Sequence, residues 1–67
     1  MHLFRRRLVR LHLVDPLPSI EGILVSAMDG HYRLVKPSIL EATDRTRELE
    51  GELFVPKERV IFVQRLG

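Results

Sequence analysis

The tightest constraint on this chain lies in its last third. Leu53-Phe54-Val55 and Val60-Ile61-Phe62-Val63 flank a short connection, Pro56-Lys57-Glu58-Arg59. Both runs are continuously apolar. A strand with one wet face alternates apolar and polar residues, because successive side chains point to opposite faces. These runs do not alternate. They read as strands covered on both faces, or as strands whose outer face meets another subunit. A chain of 67 residues has little else to cover a second face. The sequence therefore speaks first about architecture and assembly.

Size sharpens the point. A single domain of this length, spanning residues 1–67, buries a small fraction of its surface and usually needs a staple or a partner. With no cysteine there is neither a disulfide nor a thiolate metal site, and a cytoplasmic setting is expected. A compact core, self-association, or both must supply the stability. The charged share of 30 % argues against a membrane span, and no run approaches the roughly 18 apolar residues a spanning helix requires. Met1-His2-Leu3-Phe4-Arg5-Arg6-Arg7 is basic, but no apolar stretch follows it, so a secretory signal is not expected.

The net charge of +2 is unevenly spread. Residues 1–14 carry Arg5, Arg6, Arg7 and Arg10 without an acid, and residues 1–6 form a basic amino-terminal arm. Residues 41–52 carry Glu41, Asp44, Glu48, Glu50 and Glu52 against Arg45 and Arg47. Three readings follow. The arm attracts phosphates. Alternatively, basic and acidic regions of identical subunits meet head to tail. Or the charges keep strand edges soluble.

Along the chain, strands alternate with short turns. Residues 7–14 place Val9, Leu11 and Leu13 on one face and Leu8, Arg10 and His12 on the other. Pro16 and Pro18 then force a loop. Residues 20–28 form the second strand, with Gly22 marking a bend or bulge. Asp29-Gly30 signals a type I′ hairpin, which needs positive φ at both central residues. The third strand covers residues 31–36, and residues 37–42 read as its bent extension or as a helical turn. Residues 43–51 read as a polar, charged loop or a frayed helical turn. Residues 52–55 and 60–65 are strands four and five, with Pro56 opening a one-turn 3₁₀ connection. The expected core is Val9, Leu11, Leu13, Ile23, Val25, Leu34, Val55 and Ile61. The fold class is all-β: a small, strongly bent antiparallel barrel of five strands with a 3₁₀ turn before the last.

At this point the chain resembles the Sm-like (LSm) family of small β-barrels. The resemblance rests on Leu11-His12-Leu13-Val14-Asp15, Ile20-Glu21-Gly22-Ile23-Leu24-Val25 and Asp29-Gly30-His31-Tyr32-Arg33-Leu34, which follow the spacing of the family's first motif. Residues 55–63 correspond to its second. The match implies the barrel and edge-to-edge or ring-like assembly. Arg33 stands where the family carries Asn, and Pro56-Lys57 where it carries Arg-Gly. Those family positions line an RNA site, so its base pocket is not implied here.

No metalloprotease helix, phosphate loop or nucleophile elbow is present, and no cofactor is expected. Asp29, His31 and Ser26 lie close enough in sequence for an acid–base pair, but a turn Asp has ordinary local reasons to be there. His12 and His31 fall short of the three or four ligands a metal requires. The residues that suit single-stranded RNA are Arg5, Arg6, Arg7, Arg10, His31, Tyr32, Arg33, Lys36 and Lys57: cations beside flat rings. The residues that suit an oligomer interface are Leu53, Phe54, Val55, Val60, Ile61, Phe62 and Val63. The leading expectation is a non-catalytic module that self-assembles or docks into a larger assembly through strand edges. An RNA-binding ring protein and a small structural subunit of a bacteriophage particle are the alternatives.

Overall fold

The computed structural model describes residues 6–67. They form one antiparallel sheet of six strands: β1 (Arg7–Leu13), β2 (Ser19–Ser26), β3 (His31–Leu40), β4 (Thr46–Glu48), β5 (Glu52–Pro56) and β6 (Val60–Arg65). A one-turn 3₁₀ helix, Lys57–Arg59, joins the last two. The strand order is β4-β3-β2-β1-β6, and β5 pairs with β3 beyond the end of β4. The all-β expectation holds. The sheet is not closed into a barrel: among the described residues β5 pairs with β3 and β6 with β1. Among them too, no helix is long and apolar enough to cross a membrane.

Local chemistry explains the elements. Asp29 and Gly30 take φ of 57° and 75°, and His31 N–H donates to Met28 O at 3.1 Å, closing the expected hairpin turn. Residues 37–40 extend β3, as the bent-extension reading required. The bend comes from Lys36, whose φ is 50°. Residues 36 and 37 of β3 stand against Gly22 alone on β2, which is a β-bulge. Pro56 precedes the 3₁₀ turn, where its missing N–H costs nothing. The segment 43–51, expected to be a loop, contains β4, whose backbone pairs with residues 38–40. Its exposed, polar side chains leave no apolar period to signal a strand.

The core comprises Val9, Leu11, Ile20, Leu24, Leu34 and Val55, with Leu13, Tyr32, Ile39, Leu53 and Val60 packed against it. On β1, Val9 and Leu11 face inward as expected. On β2 the expected face is corrected. Ile20, Gly22 and Leu24 point inward, while Ile23 and Val25 are half-buried. Gly22 decides this. A Cβ built there would lie 3.2 Å from Leu34 Cβ, 3.2 Å from Val35 O and 3.3 Å from Pro37 Cα. The bent sheet closes over that point, so the side chain in register with Gly22 must face the core. Ile61, expected to be buried, is 62 % exposed. His12 pairs with Phe62 and Leu13 with Val60, which leaves Ile61 as the unpaired residue of a bulge.

Candidate functional site

Two surfaces bring together the residues that the sequence singled out. The first is made by β5 and β6, two of the three edge strands, on whose outer sides no further strand pairs among the described residues. The alternation of an antiparallel ladder tells which backbone groups are unsatisfied there. Leu66 N–H donates to Leu8 O at 2.8 Å, and Gln64 and Phe62 follow in phase opposite Arg10 and His12. Val63 and Arg65 therefore turn their N–H and C=O groups away from β1. On β5, Lys57 N–H donates to Gly30 O at 2.9 Å, and Val55 and Leu53 follow in phase opposite Tyr32 and Leu34. Glu52 and Phe54 therefore present free backbone groups, and Pro56 presents a carbonyl alone.

The side chains on these edges are apolar and wet. Phe54 is 59 % exposed, Phe62 54 % and Val63 39 %. Phe54 stands opposite Arg33, on the outer face of the sheet. Val63 stands opposite buried Leu11, on the inner face, yet it is not fully covered. Phe62 stacks on the His12 ring, with centroids 4.3 Å apart, and His12 Nε2–H donates to Gln64 Oε1 at 2.8 Å. Three of the seven residues expected at an interface serve the core instead. Val55 is buried, and Leu53 and Val60 pack against it. Phe54, Ile61, Phe62 and Val63 remain outside.

The second surface lies beside the β2–β3 turn. Ser26, Met28, Asp29, His31, Arg33 and Phe54 line an open depression of about 370 Å³. His31 Nδ1–H donates to the backbone oxygen of Asp29 at 3.0 Å, so its partner is the turn carbonyl. Arg33 forks onto Glu52: Nε–H to Oε1 at 2.9 Å and Nη2–H to Oε2 at 2.7 Å. That hydrogen-bonded pair holds the Glu52 carboxyl below the usual carboxylate range and raises the Arg33 guanidinium further.

The remaining cations are dispersed. Tyr32 points to the opposite face, half-buried against the core, with Lys57 Nζ 5.5 Å from its ring centroid. Lys57 also donates to Ala27 O, tying the 3₁₀ turn to the hairpin. Arg10 Nε–H donates to Glu21 Oε2 at 2.8 Å. Arg6 is exposed just before β1, Arg7 is half-buried in it, and Lys36 is exposed at the β3 bulge. Arg5 lies outside the described residues. The cations expected to act together on RNA thus divide among the outer face, the turn and the start of β1. Phe54 joins Ser26, Met28, His31 and Arg33 from a distant strand, which sequence separation hides. No family model matches this chain, and none of the curated proteins is similar to it.

Proposed function

We propose that this protein is a non-catalytic β-module that assembles through its strand edges, in the manner of small Sm-like barrels. The observation that carries the reading is the coincidence of open backbone and exposed apolar side chains on β5 and β6. Isolated exposed hydrophobes are ordinary on any surface. Here Phe54, Ile61, Phe62 and Val63 are concentrated on two strands with free edges. Soluble proteins normally blunt such edges with charge, proline or a covering element, since they are templates for another chain. Pro56 blunts only the end of β5. Pairing with a further strand satisfies the backbone groups, hides the apolar side chains and supplies stability that so short a chain otherwise lacks. Sedimentation velocity across a concentration series tests the reading. Association is expected at micromolar concentration, and Phe54→Ser together with Val63→Ser should shift the protein to monomer without loss of its circular dichroism. A parent chain that remains a folded monomer at every concentration, and finds no partner in its source cell extract, refutes it.

A second reading, binding of single-stranded RNA, is favoured by the depression that unites His31, Arg33 and Phe54. A ring beside a cation on an open surface suits an unpaired base and its phosphate. The Arg33–Glu52 ion pair weighs against it, because the guanidinium is already engaged.

A further inference from the structure

We propose that the outer face of the sheet is itself a docking surface, whose occupant is the same face of a second copy of this chain. The two faces meet about a two-fold axis that runs parallel to the strands, midway between β1 and β2. This surface is separate from the strand edges, so the proposal goes beyond edge assembly and does not depend on it.

A sheet with one face on the core normally carries polar residues on the other. Here one row of the outer face is apolar across four strands. Leu8 stands opposite Ile23, and Ile23 opposite Val35. Leu66 continues the row on the other side of Leu8, to whose backbone oxygen its N–H donates. Leu8 is 44 % exposed and Leu66 38 %, while Ile23 and Val35 are half-buried. Strand alternation places them there, because their neighbours Val9, Leu24 and Leu34 fill the core. Two residues further along the strands the row is polar: Gln64, Arg10, Glu21 and Ser38. In it Arg10 Nε–H donates to Glu21 Oε2 at 2.8 Å.

Charge decides what covers the apolar row. Arg10 and Glu21 lie side by side on β1 and β2, so the face carries one positive and one negative group at the same height. Rotation about the proposed axis lays β1 of one copy on β2 of the other. Each Arg10 then meets Glu21 of the second copy. At the same time Leu8 meets Ile23 and Leu66 meets Val35, apolar on apolar. The alternatives set like charges together. An axis across the strands, along the charged row, puts Arg10 on Arg10 and Glu21 on Glu21. An axis along β1 also puts Arg10 on Arg10. Such like-charge contacts are what a specific surface avoids. Aligned sheets pack about 10 Å apart, a gap that facing Arg and Glu side chains span.

The same patch is used by both copies, so the contact closes as a dimer. Four aliphatic side chains from each copy make a small interface, which places the dissociation constant on the order of 0.1 mM. It therefore stays open at the micromolar concentrations where edge assembly is measured.

The test uses the full chain carrying Phe54→Ser and Val63→Ser, which removes the edge contact and leaves both outer rows intact. Sedimentation equilibrium from about 10 μM to about 1 mM should show monomer passing to dimer, with no larger species. Leu8→Glu is expected to weaken the dimer at least tenfold, and Leu66→Glu does the same as a second, independent variant. Circular dichroism checks that each stays folded. Glu21→Arg alone gathers four guanidinium groups at the contact and should weaken it at least tenfold. Adding Arg10→Glu restores opposite charges, both within each chain and between copies, and association should return to within a few-fold. A chain that is monomeric at 1 mM, or a dimer indifferent to both Leu8→Glu and Leu66→Glu, overturns the face contact. A dimer that the double reversal fails to restore overturns the proposed axis. The edge reading is decided separately, in the parent chain at micromolar concentration.

Discussion

Replacing Gly22 by Ala adds one methyl group where β2 and β3 approach closely. The new Cβ meets Leu34 Cβ at 3.2 Å, Val35 O at 3.2 Å and Pro37 Cα at 3.3 Å. All three atoms belong to backbone or to a Cβ, so no rotamer change makes room. Relief requires β2 to move away from the β3 bulge by a few tenths of an ångström, against the β2–β3 ladder. Overpacking of this kind costs about 1–3 kcal/mol. An Ala in place of Gly also restricts the unfolded chain, which returns about 0.4–1 kcal/mol. Taken from the middle of each range, the net expectation is a loss of about 1.3 kcal/mol. With a urea dependence of about 1 kcal/mol/M for a small domain, the midpoint should fall by about 1 M or more. Urea unfolding followed by circular dichroism measures it, at a concentration where both proteins sediment alike. A midpoint equal to or above the parent's shows that the sheet has slack at Gly22. The argument that this glycine dictates which face of β2 is buried then fails.

The other two expectations concern charge. Arg33 hydrogen-bonds the Glu52 carboxylate and lowers its folded pKa, so the pair's stabilisation is complete above the ordinary carboxylate value of 4.5. It is lost as the pH falls through the lower folded value. Carbon-detected NMR titration of the Glu52 carboxyl should show a midpoint that rises in Arg33→Ala, and an unchanged midpoint refutes the pairing in solution. If the second reading of function holds, labelled single-stranded RNA binds with a log–log salt slope of about −0.7 per phosphate contact. His31→Ala then costs about 1–3 kcal/mol if its ring stacks on a base, and Arg6→Ala with Arg7→Ala flattens the slope. Absence of binding at low salt in fluorescence anisotropy removes that reading.

Where the determinants were local, the chain was readable from its residues. The Asp29-Gly30 turn, the 3₁₀ connection after Pro56 and the inward face of β1 each follow from φ preferences or from period-two alternation within a few residues. The uneven burial of the two apolar runs was not readable in this way. Val55 and Val60 serve the core while Phe54 and Ile61 stay in water, yet all four are equally apolar. β4 carried no hydrophobic period and exists because β3 offers it a backbone edge. The inward face of β2 was set by the approach of β3 to Gly22, and the exposure of Ile61 by a bulge opposite β1. The same holds for the depression that joins His31 and Arg33 to Phe54, which lie on strands paired across about twenty intervening residues. Composition and alternation report what a residue prefers. Register, bulges and open edges depend on which distant strand arrives and at what offset, so they were decided by the tertiary structure alone.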